Sequence, residues 1–505
     1  MYFPRSLETH ARCNESDKVI NLNKTNMTTE QENQETISRR SLIDQSARFP
    51  VLFFITSASA WLLVAVTLGF IQQMKMHAPG FLDASWLYFL NYGRSNPAFI
   101  TALVYGWAIQ AGIGVGIWIM ARLCGAQVKN PITLIVAGHF WNIGVSIGVL
   151  GILFGYGTSM EWLAFPKAVW PILFISFSMI VIWLVTMFYR RQDKSVYISI
   201  WYILGACFWF PWIFITANLI IHVFPGSPLA KASTNAWFTG SMIYLFFVPL
   251  GLGIAYYLIP KIMGRPTHSS QLSYYGFWGL AIFGGWTGIQ KFMGGPFPAW
   301  MPAISAAAVI FMLIPILIVT VNQLMTLKED SSLINSSPAL KFTAAGVSFL
   351  IIFCVLSALG SFLSIGKYTQ ISFTSMGAQI LAVYGFFSMI VFGAIYFIVP
   401  RLTGTEWGNI GGIQSHLVIS MYSIVSLIVL HFFGGVWQAG AYGKFDAPLE
   451  NAIAATRPYS IGASVVWVFI WISVLRFSLN LFSLLFRTGR REISSNIVGR
   501  NKSIA

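Results

Sequence analysis

The sequence predicts an all-α integral membrane protein of about twelve transmembrane helices, and three observations lead there. Only 9% of its 505 residues are charged and 56% are hydrophobic, whereas soluble domains carry about 25% charged residues. From Val51 onward, apolar runs of about 20 residues recur, each long enough to cross a bilayer core of roughly 30 Å. Basic residues cluster where those runs end: Arg122 and Lys129; Arg190, Arg191 and Lys194; Lys261 and Arg265; Arg401; Arg487, Arg490 and Arg491. The net charge of +15 therefore reports topology under the positive-inside rule, and no nucleic-acid partner is expected.

In chain order, residues 1–48 are polar, rich in Asn, Ser, Thr and Glu, and read as a disordered cytoplasmic extension. They hold no apolar run, so no cleaved signal peptide is expected. The spans are expected at 50–73, 97–121, 131–155, 169–189, 196–222, 236–259, 271–292, 301–326, 341–364, 373–399, 411–434 and 459–486. Together they make one membrane domain over 50–487, followed by a basic cytoplasmic tail over 488–505. An even number of spans puts both termini on one side. The basic connections 122–130, 190–195 and 261–270 make that side the cytoplasm, at an inner membrane.

Connections on the other face are longer and aromatic. Residues 81–92, "FLDASWLYFLNY", suit a helix lying in the interface. The small-residue run "GWAIQAGIGVGIW" (106–118) allows close helix approach or leaves room for a flat ligand. No repeat of 20–50 residues is apparent.

The chemistry-bearing residues are sparse. All sixteen acidic residues fall in expected connections or tails, so the spans hold no carboxylate relay of the kind that pumps and coupled carriers use. Seven histidines are scattered: His139, His222 and His431 lie singly in or near three spans, and His416 at a helix start. Haem and copper sites need imidazoles converging from facing helices, and no such pairing is visible. Four separated cysteines form no metal-binding or redox motif. One cation stands out: Lys291 in "GGWTGIQKFMGG" (284–295), near the end of the expected seventh span.

Several stretches, in order and at matching spacing, resemble the catalytic subunit of the cbb3-type (C-family) haem-copper oxidases. They include "YGRSNPAFITALVYGW" (92–107), "GYGTSMEWLAFPKAVWPI" (155–172), "GLGIAYYLIPKIMGRP" (251–266), "FWGLAIFGGWTG" (277–288), "GAIYFIVPRLTG" (393–404) and "RPYSIGASVVWV" (457–468). The resemblance covers about 50–487 and implies an oxidase subunit I-like bundle. It also implies the family's activity, reduction of oxygen with electrons from cytochrome c, at a haem b, a haem b3 and a copper ion.

The family's ligands do not carry across. Its second-helix haem histidine falls on Phe99, and its sixth-helix copper histidine on Gly240. Its cross-linked tyrosine falls on Gly284 and the next two copper histidines on Gln290 and Lys291. Its helix-ten H-x-H falls on Ser375 and Gly377, with Met376 between them as a weak haem candidate. Spans 2, 6, 7 and 10 contain no histidine, so no shift of register supplies one. The expectation is a chain without haem or copper, with no catalytic residues.

Lys291 then has two readings. Its ammonium replaces part of the lost positive charge, with Gln290 as a hydrogen-bond partner, or it snorkels from the span end to water. Three functions follow. The first is a non-redox scaffold or partner subunit of a respiratory complex, docking a membrane-anchored cytochrome c subunit or another subunit. The second is a permeation path for a small solute or metal ion through the vacated haem cavity. The third is a haem- or quinone-binding membrane protein with non-histidine ligation.

Overall fold

In the computed structural model, residues 8–370, 372–443 and 448–502 are described, with side chains from residue 35 to 490 apart from Thr36 and Ser331. Among these the chain is helical, with no strand. Eleven helices are long and apolar enough to cross a membrane. They are α1 (Ile37–His77), α2 (Tyr92–Cys124), α3 (Pro131–Leu153), α4 (Val169–Tyr189), α5 (Ile198–Val223) and α6 (Pro228–Met263). After the shorter α7 (Ser270–Phe283) come α8 (Trp300–Lys328), α9 (Pro338–Gly360), α10 (Phe373–Thr403), α11 (Ile410–Tyr442) and α12 (Leu449–Arg490).

Two expectations are corrected. The seventh span, expected over 271–292, is α7 of 14 residues followed by two 3₁₀ turns, Gly284–Trp286 and Ile289–Phe292. Fourteen residues rise about 21 Å, short of a bilayer core. The glycines end the helix: Gly284 and Gly285 favour no regular helix, and Gly288 takes φ +108°, a conformation open to glycine alone. The other correction concerns residues 37–48, expected within a disordered extension. They are turns of α1, with Ile43 and Ala47 buried. Asp44, a supposed tail residue, receives Arg122 Nη2 at 2.6 Å and Trp118 Nε1 at 3.0 Å, both from α2. A polar helix surface looked like tail because its partner lay 78 residues away.

At the other end, the helix that contains α12 is continuous through Lys502, across the boundary expected at 488. The interfacial segment is a single 3₁₀ helix, Ser85–Leu90, exposing Trp86 and Tyr88.

Burial sorts the spans into a centre and a rim. The most apolar stretches of α2, α6 and α10 are 94%, 100% and 94% buried, against 33–50% for the other candidate spans. These three central helices share one design. Each contains a π-helical stretch: Ala102–Ile109, Met242–Phe247 and Leu381–Ser388. The stretch in α10 touches the other two. Each helix also ends on a left-handed glycine, Gly125, Gly264 or Gly404, three residues after Arg122, Lys261 or Arg401. Tyr105, Tyr244 and Tyr384 occupy equivalent places in the three stretches. The chain therefore does repeat, with a period of about 140 residues, far longer than the periods that mark solenoids. Where the glycine caps gather, the bundle has a basic face. The aromatic connections make up the opposite face.

Candidate functional site

The positions to which the resemblance assigns haem and copper ligands lie toward the face opposite the basic one, and most of them are closely packed. Phe99 is fully buried in the first turns of α2. Its ring meets Trp467 of α12 edge to face at 5.2 Å. Gly69 of α1 is pressed onto Trp467 and Phe99, where a Cβ would come within 2.6 Å and 3.1 Å. Aromatic carbon fills the space around Phe99.

Gly240 of α6 is sealed by backbone. A Cβ there would stand 2.6 Å from Gly288 N and 2.7 Å from Thr287 C. Gly288 reciprocates, since its own Cβ would lie 2.0 Å from Ala236 O. Trp237 Nε1 donates to Gly285 O at 2.8 Å, and Thr287 Oγ1 to Gly284 O at 2.8 Å. Gly284 itself is packed against Leu245, with only 2.6 Å from a Cβ to Cδ2. The glycine-rich turn after α7 and the first half of α6 thus lie backbone to backbone, which small residues permit.

Gln290 does not hold Lys291. Its Oε1 accepts from Gly288 N at 2.6 Å and from Ser305 Oγ at 2.7 Å, so it braces the turn against α8. Lys291 reaches the other way. Its Nζ donates to Glu161 Oε2 at 3.0 Å and to Thr239 Oγ1 at 3.4 Å. The expected partner gives way to an ion pair, 28% and 38% exposed on its two sides.

Glu161 comes from the 154–168 connection, where no partner for a distant lysine was legible. The segment dips into the bundle. Asn235 of α6 clasps its backbone twice, accepting from Glu161 N at 2.9 Å and donating to Glu161 O at 2.8 Å. The neighbouring Trp162 is buried in a left-handed conformation, φ +63°, costly for a bulky side chain. Its Nε1 donates to Gln379 Oε1 at 2.9 Å, and Gln379 Nε2 donates in turn to Glu161 Oε1. The available sequence signal was the positional coincidence of one acidic residue and one intramembrane lysine. Spacing alone could not connect them over 130 residues.

On α10, Ser375 borders two hollows. One is an outward cleft of about 570 Å³ that also takes in Glu161, Trp162, Met376 and Gln379. The other is a cavity of about 260 Å³ between Lys291, Gly377 and His431. Gly377 is capped by His431 of α11, with 2.6 Å from a Cβ to His431 Cβ. His431 Nδ1 donates to Leu427 O at 2.8 Å, and its ring stacks on Phe373 at 4.1 Å. That leaves Nε2 buried and unpartnered. Met376 packs against the core from a half-buried position. His416 is likewise fully buried and bonded to the Tyr396 hydroxyl at 2.8 Å, deeper than its place near a helix start suggested. Among the described residues, no three His, Cys, Asp or Glu side chains stand close enough to hold a metal ion.

Twelve helices, nine of them around three buried ones, with a hollow between α9, α10 and α11, define a multi-span membrane protein of haem-copper oxidase architecture. A haem-copper terminal oxidase solved as a dimer by cryo-EM superposes with a TM-score of 0.68, covering 87% of this chain and 84% of that one at 15% identity. The chain belongs to the family of cytochrome c and quinol oxidase polypeptide I, whose model matches residues 49–488. Among its relatives, a cytochrome c oxidase subunit 1 homolog of Agrobacterium tumefaciens is 21% identical over 81% of this chain and 78% of its own length. The cbb3-type cytochrome c oxidase subunit CcoN1 of Stutzerimonas stutzeri is 23% identical over 76% and 82%.

Proposed function

We propose that this chain is a non-redox member of the oxidase subunit I family, acting as a scaffold or partner subunit in a respiratory complex of the inner membrane. The observation that carries this reading is the ion pair of Lys291 with Glu161, at a position that the family resemblance gives to a copper ligand. A protonated amine has no lone pair for a metal, and copper favours imidazole or sulfur.

The neighbouring positions do not fit the family's cofactors either. Gly240 offers no donor and faces a peptide backbone, while Gln290 is committed to Gly288 and Ser305. Phe99 has no donor atom, and Gly377 lies beneath His431. Of the two hollows that Ser375 borders, the one beneath His431, about 260 Å³, falls below the roughly 300–1,000 Å³ of ordinary ligand pockets, while the outward cleft of about 570 Å³ lies within that range. What the chain keeps is the bundle and its aromatic outer connections, the parts on which a membrane-anchored cytochrome c subunit or another subunit could dock.

The test is a visible spectrum of the dithionite-reduced full-length protein together with iron and copper analysis. Expected are no haem band and neither metal at near-stoichiometric level. A reduced b-type haem band with one iron per chain would overturn the reading and direct attention to His431, whose Nε2 is free, before Met376. Cross-linking in native membranes, followed by identification of captured subunits, tests the scaffold role. Capture of respiratory subunits is expected, and recovery of the chain alone sinks it.

A further inference from the structure

A second feature lies at the basic face, remote from the positions above. In α2, Phe99 and Arg122 are separated by about 30 Å of helix. Here α1, α2, the 190–197 connection, α5, α6 and α7 enclose a cleft of about 810 Å³. Its walls carry Arg39, Arg40, Arg122 and Lys261, and Asp193 is its one carboxylate.

The positive charge is poorly compensated. Arg122 is neutralised by Asp44, and Arg39 Nη2 donates to Gly125 O at 2.9 Å. Among the described residues, Arg40 and Lys261 have no ion-pair partner, and the charges of Arg40, Arg122 and Arg401 all bear on Lys261. Asp193 offsets one of these charges: bonds from the Ser195 hydroxyl and amide to its Oδ1 hold its carboxyl below the usual range, so it stays anionic, and the cleft keeps an excess of positive charge. Simple topology signals do not require such convergence, because basic residues that only mark the cytoplasmic side are free to point outward into water. This cleft also offers hydroxyls around the cations, from Tyr257, Ser199 and Thr267 among others.

We propose that this cleft binds a phosphate-bearing anion. Guanidinium and ammonium groups give charge-assisted hydrogen bonds to phosphate oxygens, and basic pockets between transmembrane helices hold anionic headgroups. The volume lies within the range of small-molecule sites. Two sources supply the same chemistry, an anionic phospholipid headgroup or a soluble phosphate compound. A neighbouring hollow of about 590 Å³ shares Arg39, Ile43, Gly125 and Gln192 with the cleft and is lined by Ile182 and Trp183, so an acyl chain has a place to lie if the source is lipid.

The experiment uses the full-length protein in two arms. In one, native mass spectrometry follows retention of phosphatidylglycerol added to protein in zwitterionic detergent. In the other, inorganic pyrophosphate is titrated calorimetrically into protein held in phosphatidylcholine nanodiscs. The double variant Arg40→Gln/Lys261→Gln is compared with wild type, with the charge-preserving Arg40→Lys/Lys261→Arg, and with Lys328→Gln/Arg490→Gln as a charge-matched control outside the cleft. Binding in either arm is expected to weaken at least about tenfold in the first variant only, and the arm that responds identifies the source. Absence of wild-type binding in both arms overturns the proposal, and so does equal loss in the control.

Discussion

Lys291 Nζ stands 3.0 Å from Glu161 Oε2, joining a turn after α7 to a connection 130 residues earlier in the chain. The contact ties three central features together, because Glu161 is also clasped by Asn235 of α6 and bonded by Gln379 of α10. Lys291, at a position where the resemblance implies a metal ligand, is here part of a structural network.

That network should show coupling. Lys291→Gln and Glu161→Gln are each expected to lower stability by about 0.5–1 kcal/mol, a modest amount because the pair is part-exposed and screened. The double variant should lose less than the sum. Thermal unfolding in detergent across the four proteins measures this, and strict additivity would show that the pair contributes nothing.

Restoring one histidine should not restore copper. Gly240→His is expected to destabilise the fold by about 1–3 kcal/mol, because the backbone of Gly288 occupies the space where the new Cβ must go. Gly240→Ala tests the packing without the ligand, and the two variants should share most of the loss. Copper taken up stoichiometrically by Gly240→His would contradict this account.

Phe99→Ala is expected to cost about 3 kcal/mol, in line with removal of a large ring from a closed core. Its partner Trp467 and the close-packed Gly69 leave little means of collapse. A loss under about 1 kcal/mol in thermal unfolding would mean that the helices re-close over the gap.

Deleting residues 1–34 should leave the bundle stable, whereas deletion through residue 48 should not. The longer deletion removes Asp44 and leaves Arg122, 16% exposed, without its carboxylate. Loss of one partner of a fully buried pair costs about 3–5 kcal/mol, and this part-buried pair is expected to cost less, about 1–3 kcal/mol. Asp44→Asn, which keeps the helix, should reproduce most of that loss. Equal melting temperatures for the two truncations would remove Asp44 from any structural role.

Much of the site was legible in the residues themselves. That α2, α6, α7 and α10 lack histidine follows from the sequence whatever the register, and so does the identity of each residue at the degenerate positions. The spans could be read because an apolar stretch of bilayer length has few other uses. Errors arose where meaning depended on a distant partner. Asp44 looked like tail, and Glu161, rightly placed in a connection, gave no sign of its partner, since a carboxylate's contacts are set by what folds against it. Gln290 looked like a partner for Lys291 because they are adjacent in sequence, yet adjacent side chains in a turn are free to face opposite ways. The recurrence linking Tyr244 with Tyr384 and Gly264 with Gly404 was in the letters all along, at a period too long for a search confined to short repeats.

By itself, then, the sequence determined that this is a many-spanned helical membrane protein, that it resembles an oxidase subunit, and that α2, α6, α7 and α10 carry no histidine. Those are properties of composition, run length and residue identity, and folding does not alter them. Only the tertiary structure decided that Lys291 pairs with Glu161, that Gly240 rests on Gly288, that Phe99 is sealed by Trp467, and that Arg40 and Lys261 share one cleft. Each of these joins separate elements, and short-range electrostatics and packing act only between groups that the fold has brought within a few ångströms.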